Sequence, residues 1–223
     1  MITCLLTINS GIIKSSAKSL QLISTSALPV MEHYYTIQGE GANTGRACYF
    51  IRLGGCDVGC VWCDVKDSWD ASQHKLVKVE KMIEWVKQAG ADHVVITGGE
   101  PLMYDLSQLT KKFRAEKIKL LLETSGAYPL TGKWDWVCVS PKKFKTPLKS
   151  VLFSADELKV IVYNKSDFDW ALKHATLVNK KCKLFLQPEY GSFSKVLPWL
   201  IEFVKGNTLW RISLQTHKVM GID

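Results

Sequence analysis

The chain has 223 residues, of which 47% are hydrophobic and 22% charged, enough for one sizeable hydrophobic core and hardly for two. Its formal net charge is +8, but the lysines are scattered rather than blocked, which favours a basic surface over a stripe that binds nucleic acid. No run of about 18 apolar residues occurs, so we expect no membrane span.

The chain has seven cysteines, which is an odd number, and only three of them lie close together in the sequence. That pattern does not fit the disulfide framework of a secreted protein, and we expect a cytoplasmic location. Residues 1–27 contain no acidic residue and two lysines. They lack the layout of a clear targeting signal, so we expect a non-structural extension or an upstream start, with one domain over residues 28–223.

Predicted strands and helices alternate along this domain. The strands are expected at 47–53, 92–99, 117–126, 136–142, 157–164, 183–188 and 211–218, and the helices at 79–90, 105–116, 166–179 and 194–205. Strands joined through helices predict a parallel sheet of the α/β class. Fewer than 200 residues are short for a complete eight-stranded barrel, which leaves an open, partial barrel or a doubly wound sheet.

The unusual polar motifs each follow a predicted strand. They are the loop GGCDVGCVWCD (54–64), TGGEP (97–101), ETSG (123–126), SPK (140–142), QPEY (187–190) and QTHK (215–218). Ligands of parallel α/β folds bind at the carboxyl ends of the strands, because the loops converge there. The sequence therefore predicts one shared pocket.

Cys56, Cys60 and Cys63 have the spacing C-x3-C-x2-C within the first of these loops. Buried inert cysteines are one interpretation, but the surrounding glycines mark a loop. A zinc site is a second, and it would need a distant fourth ligand from among His33, His74 and His93. The third is a [4Fe–4S] cluster with one iron left free for an external molecule.

The same spacing, with the aromatic Trp62 before the last cysteine, resembles the radical S-adenosylmethionine (SAM) superfamily. The resemblance implies a partial (βα)6 barrel, a [4Fe–4S] cluster and SAM, which is cleaved to a hydrogen-abstracting 5′-deoxyadenosyl radical. TGGEP resembles the superfamily's second motif, which implies that Gly98, Gly99 and Glu100 bind the methionine amino group.

Residues 28–223 further resemble the 7-carboxy-7-deazaguanine synthases, through YTIQGEGANTG (35–45), FIRLGGC (50–56), CDVKDSW (63–69) and the motifs above. The resemblance implies a lyase that converts 6-carboxy-5,6,7,8-tetrahydropterin to 7-carboxy-7-deazaguanine with loss of ammonia. It implies substrate contacts at Ile37, Gln38, Gly39, Glu40, Arg52, Thr97, His217 and the C-terminal Asp223. It implies cofactor contacts at Trp62, Ser140, Pro141, Lys142, Gln187, Pro188, Glu189 and Tyr190.

One position departs from this resemblance. The family commonly carries a hydroxyl ligand of Mg²⁺ two residues after the last cysteine, whereas this chain has Val65. An isopropyl group cannot bind a hard cation, so we expect weak Mg²⁺ dependence. The resemblance also implies a homodimer and an electron-donor protein such as flavodoxin, with no nucleic-acid or membrane partner.

Other functions remain open at this stage. A glycyl-radical-enzyme activating enzyme would share the cysteine loop, but it gives no role to Gln38-Gly39-Glu40 or to residues 215–218. A tRNA-binding module would explain the basic charge, but it would need a clustered Lys/Arg face and salt-dependent binding.

Overall fold

A computed structural model of the chain describes residues 23–24 and 26–222. The strands are β1 (Ile23–Ser24), β2 (Ala27–Ile37), β3 (Ala47–Leu53), β4 (Lys75–Lys78), β5 (His93–Gly98), β6 (Tyr104–Asp105), β7 (Lys119–Thr124), β8 (Trp136–Val139), β9 (Glu157–Val162), β10 (Lys183–Pro188) and β11 (Trp210–Ile212). The α-helices are α1 (Val79–Gln88), α2 (Ser107–Ala115), α3 (Lys149–Phe153), α4 (Ser166–Ala175), α5 (Phe193–Gly206) and α6 (Thr216–Met220).

The main sheet has nine strands in the part of the chain that the structure describes, in the order β11-β10-β9-β8-β7-β5-β3-β2-β4. The seven strands from β3 to β11 are parallel and follow one another in chain order. β2 runs antiparallel between β3 and β4 and extends the sheet beyond β3. This is the predicted α/β fold, with the sequential parallel order of a partial (βα) barrel.

The helices pack their apolar faces on this sheet. In α1, the residues Val79, Met82, Ile83 and Val86 are buried, as the helical period of the sequence predicts. They join one large apolar cluster with the buried residues of the parallel strands. Apolar packing of the helices on the strands therefore stabilises the sheet, and the polar loops lie at the carboxyl ends of the strands.

Several elements differ from the prediction. The 11-residue strand β2 was not predicted, because its apolar and polar residues alternate only in part and its end carries the Gln38-Gly39-Glu40 motif. The strand predicted at 211–218 ends at Ile212, since Thr216 donates from its amide and its hydroxyl to the carbonyl of Gly39 and begins α6 there.

The predicted extension over residues 1–27 falls mostly outside the described residues and stays a prediction, as does the single domain over 28–223. Of its last residues, Ile23–Ser24 pair in parallel with Tyr104–Asp105, and Ala27 begins β2. Over the described residues, no helix is long and apolar enough to cross a membrane.

Candidate active site

A cavity of about 270 Å³ lies at the carboxyl ends of the parallel strands. The cysteine loop and all five of the other polar motifs contribute residues to its lining. β2 and its following loop form a further part of the wall. The motifs are far apart in sequence, so the parallel sheet is what brings them together.

Most of the residues predicted for the site line this cavity. They are Ile37, Gln38, Gly39, Glu40, Arg52, Cys56, Cys60, Trp62, Cys63, Thr97, Gly98, Gly99, Ser140, Lys142, Gln187, Pro188, Glu189, Tyr190 and His217. Glu100 and Pro141 are buried and are not part of the lining. Asp223 lies outside the described residues.

The three clustered cysteines are free thiols that all face the cavity. The Cys56 amide donates to the carbonyl of Trp69 at 3.1 Å, and the Cys63 amide donates to the carbonyl of Cys60 at 3.2 Å, which fixes both ends of the loop. Burial raises the pKa of the Cys56 thiol and raises that of Cys60 to about 11. The thiols of Cys56 and Cys60 therefore need the positive charge of a bound metal to act as thiolates.

The donor set fits an iron–sulfur cluster better than a single ion. Among the residues described, no three His, Cys, Asp or Glu side chains are placed to hold one metal ion. The three thiols instead border a shared cavity, which is the arrangement that a ligand larger than one atom requires. Thiolates are also the protein ligands that iron–sulfur clusters take.

The GGEP turn packs against the cysteine loop. The Gly99 amide donates to the carbonyl of Leu53, and the Glu100 amide donates to that of Gly55, both at 2.9 Å. A Cβ on Gly99 would lie 2.3 Å from the Gly55 oxygen, so only glycine fits there. Gly99 therefore lets the GGEP turn approach the backbone of the cysteine loop closely, while it also lines the cavity.

Glu100 is buried beside the cavity and is not part of its lining. Its side chain is buried, and its carboxylate accepts hydrogen bonds from the Leu102 amide at 3.0 Å, the Thr124 hydroxyl at 2.5 Å, and both the amide and the hydroxyl of Ser125. The carboxylate thus joins the loop after β5 to the loop after β7. Four donors already surround it, so its contribution to the cavity is through the shape of these loops.

The C-terminal helix α6 closes one side of the cavity against the loop after β2. The Thr216 amide donates to the Gly39 carbonyl at 2.9 Å. A Cβ on Gly39 would lie 2.2 Å from Nδ1 of His217, which explains why a glycine stands between Gln38 and Glu40. Burial lowers the pKa of His217, so this ring is neutral at physiological pH.

A buried polar network lies within the cavity. Gln38 donates to Glu123 at 2.9 Å, Lys159 donates to both Glu123 and Glu40, and Gln215 donates to Glu40 at 2.9 Å. Burial opposes ionisation of Glu40, but the Lys159 ammonium and the hydrogen bonds from Lys159, Gln215 and Gln187 together outweigh it and bring the Glu40 pKa to about 2. Lys159 and Glu123 were not among the predicted site residues.

A sequence signal for Lys159 did exist. The strand ELKVIV carries Glu157 and Lys159 two residues apart between apolar residues, so both project from one face of a buried strand. Charged residues are almost never fully buried unless paired, so such a pattern indicates a polar site inside the sheet.

Arg52 and Lys142 bring two cations to the cavity lining. Arg52 donates from Nε to Glu32 at 2.6 Å and from an Nη atom to the Tyr34 hydroxyl at 3.2 Å, both on β2. Lys142 donates to the Ser140 hydroxyl at 2.6 Å and stands 5.3 Å from the centre of the Trp62 ring. Burial lowers the pKa of Lys142.

Comparison with known proteins assigns the chain. Residues 50–139 match the Radical SAM superfamily. The chain is 52% identical over 195 residues to the 7-carboxy-7-deazaguanine synthase of Flavobacterium psychrophilum, an alignment that covers 87% of this chain and 92% of the relative. The chain belongs to the 7-carboxy-7-deazaguanine synthase family of radical SAM proteins.

Other relatives agree with this assignment. The 7-carboxy-7-deazaguanine synthase of Synechocystis is 43% identical, over 89% of this chain and 95% of the relative. The crystal structure of QueE from Escherichia coli superposes with a TM-score of 0.76 at 31% identity, over 84% of this chain and 93% of that one. Family membership is therefore supported both by sequence similarity and by structural similarity.

Proposed function

We infer that the chain is a radical SAM lyase that converts 6-carboxy-5,6,7,8-tetrahydropterin to 7-carboxy-7-deazaguanine with loss of ammonia, in the pathway to 7-deazapurines such as queuosine. The observation that supports it most is the convergence of three free thiols, an arginine and a buried Gln/Glu/Lys network on one cavity. The alternative of a glycyl-radical-enzyme activating enzyme is not favoured, since the matched relatives carry the name of the synthase over most of the chain.

The cluster and SAM have identifiable places in this proposal. Cys56, Cys60 and Cys63 would hold a [4Fe–4S] cluster, and the cavity beside them would hold SAM. When bound and reduced, these groups supply the radical that removes hydrogen from the substrate. The cofactor contacts assigned to the chain are Trp62, Gly98, Gly99, Ser140, Lys142, Gln187, Pro188, Glu189 and Tyr190, with Glu100 and Pro141 acting through the position of their loops.

The chain's own side chains bind and orient the substrate. Arg52 is partly committed to Glu32 and Tyr34, and its remaining N–H groups form the partner for the substrate carboxylate. Gln38, Glu40 and the Gly39 backbone offer donors and acceptors to the edge of the pterin ring. Ile37, Thr97 and His217 complete the substrate side of the cavity wall. The family resemblance adds Asp223, which lies outside the described residues, as a further substrate contact.

The remaining partners follow from the family resemblance. We propose a homodimer, a flavodoxin-like electron donor and a cytoplasmic location, with neither nucleic acid nor membrane as a partner. Mg²⁺ dependence is weak because Val65 offers the ion no ligand, and any Mg²⁺ that binds rests on the substrate and water alone.

The experiment is anaerobic reconstitution with iron and sulfide, followed by assay with 6-carboxytetrahydropterin, SAM and dithionite. We expect product and ammonia from the wild type. Cys60→Ala is expected to lose both the cluster absorbance and the product, whereas Cys182→Ala, which changes a thiol outside the cavity, keeps both. Product formation by Cys60→Ala, or a reconstituted wild type that yields no product, contradicts the proposal.

A further inference from the structure

Lys159 is a buried cation of the cavity to which the proposed function gives no role. Its side chain is 3% exposed, and its Nζ lies 2.5 Å from Oε2 of Glu40 and 3.1 Å from Oε2 of Glu123. A buried ammonium is costly unless it is paired and hydrogen-bonded. Both carboxylates line the cavity, so the pairing is built at the binding surface and not in the apolar core.

The other oxygen of each carboxylate is held as well. Oε1 of Glu40 accepts from Gln215, and Oε1 of Glu123 accepts from Gln38, both at 2.9 Å. Each carboxylate oxygen has two lone pairs, so an acceptor position remains on each after these bonds are made. Lys159 joins the two carboxylates of this network. Glu40 is held by Gln215, just before α6, and Glu123 is held by Gln38, in the loop after β2.

Other ionisable groups face the network from neighbouring elements. Glu157 lies two residues before Lys159 on β9, Cys138 lies on β8, Lys142 follows β8, and His217 lies on α6. Burial raises the pKa of the Glu157 carboxyl and so favours its neutral form. Burial also raises the pKa of the Cys138 thiol. Within this set, Lys159 is the cation in hydrogen-bonding contact with both Glu40 and Glu123.

We propose that Lys159 is a positioning residue, which holds Glu40 and Glu123 as a fixed pair of anionic acceptors for adjacent N–H donors of the bound heterocycle. The inference rests on the proposed function, because a pterin ring is what supplies such donors. Lys159 acts through the two carboxylates and touches no reacting atom.

The role has a consequence for the pH dependence of binding. With Lys159 present, Glu40 stays ionised far below neutral pH. Without the ammonium, two carboxylates in one buried site cannot both ionise freely, so one of them keeps a proton near neutral pH. A protonated carboxyl loses acceptor capacity, and substrate binding must then improve as the pH rises and the proton leaves.

The test compares Lys159→Met, Lys159→Arg and an exposed strand control, Lys75→Met, as reconstituted holoenzymes. For Lys159→Met we expect KM for 6-carboxytetrahydropterin at pH 6.5 to rise by about tenfold or more, as for a lost hydrogen bond to a charged group. That KM should fall as the pH is raised to about 8.5. For the wild type, Lys75→Met and the charge-conserving Lys159→Arg, we expect KM to vary by less than about twofold over the same range.

If the Lys159→Met enzyme makes no measurable product, a second measurement, of its thermal stability, tests the proposed role. In the Lys159→Met protein, the unpaired carboxylates have a raised pKa in the folded state, so the folded protein binds more protons than the unfolded one. Its thermal stability, relative to that of the wild type, should therefore fall as the pH is raised from 5 to 8. Cluster absorbance and SAM binding should remain at wild-type levels.

The outcomes separate this inference from the proposed function. If the wild type makes no product, the proposed function fails. If the wild type is active and Lys159→Met shows neither a pH-dependent KM nor a pH-dependent loss of stability, the positioning role of Lys159 is wrong and the proposed function stands.

Discussion

At the scale of single residues, Val65 is the cavity residue that departs most clearly from the family resemblance, which implies a hydroxyl ligand of Mg²⁺ at this position. Its side chain lines the cavity, two residues beyond Cys63. Its amide donates to the Cys63 sulfur at 3.4 Å, and its carbonyl accepts from the buried Ser68 hydroxyl at 2.6 Å. The backbone of this residue shapes the cluster loop, while its isopropyl group offers no ligand to a hard cation.

We therefore predict that turnover of the reconstituted wild type changes by less than about twofold when Mg²⁺ is added after chelation. Val65→Thr, which introduces a hydroxyl of nearly the same volume, should become Mg²⁺-responsive. Steady-state assays with and without Mg²⁺ measure this. Val61→Thr is the matched control, since Val61 lies on the same loop and is exposed. A strict Mg²⁺ requirement in the wild type would show the prediction to be wrong.

At the scale of elements, three loops are joined outside the cavity by one cluster of side chains. Asp57 of the cysteine loop accepts from the Tyr128 hydroxyl at 2.5 Å and from Lys145 at 2.6 Å. Lys145 also donates to that hydroxyl at 2.7 Å. Tyr128 follows β7 and Lys145 follows β8, so the loop that carries the cluster ligands is tied to the loops of two neighbouring strands.

Asp57→Asn should weaken this tie without removing a thiol. The bonds are partly exposed, so we expect a cost of about 1 kcal/mol, equivalent to cluster loss about five times faster. The decay of cluster absorbance under a chelator measures it. Asp70→Asn, a change to an exposed aspartate beyond the cysteine loop, is the control and should decay at the wild-type rate. Equal rates for Asp57→Asn and the control would contradict the structural role of Asp57.

The elements also show how far the sequence could predict the site. The parallel strands and the motifs after them are local patterns, and the structure places those motifs around one cavity. Glu100 illustrates what was not predictable: its role depends on Thr124 and Ser125, whose position beside it is set by the pairing of β5 with β7. Lys159 differs, because the charged pair in ELKVIV indicated a polar site, but its partners Glu40 and Glu123 lie on other elements and were not predictable.

At the scale of the whole molecule, the cavity wall is built from both ends of the described chain. The loop after β2 and helix α6 form one side of it. α6 has no buried residue of its own, so it contributes to the wall and little to the core. The cluster ligands belong to a different part of the wall.

Removal of residues 215–223 should therefore separate cluster binding from turnover. We expect the shortened protein to fold and to reconstitute its cluster, because Cys56, Cys60 and Cys63 are untouched. Product formation should fall by at least about tenfold, since Gln215 no longer holds Glu40 and water enters the site. Iron content and product yield measure the two effects. Val219→Ser, at a side chain that is 85% exposed, is the control; wild-type turnover after the truncation would contradict the assignment of α6 to the wall.

The hydrogen bond between Thr216 and Gly39 joins two residues that the ribosome makes at very different times. The two residues are 177 positions apart, and the cysteine loop lies close to the earlier of them. The ribosome therefore makes the three thiols long before it makes helix α6. A nascent chain has its cluster ligands while the cavity still lacks one side, and that side is added only once residues 215–220 have been made.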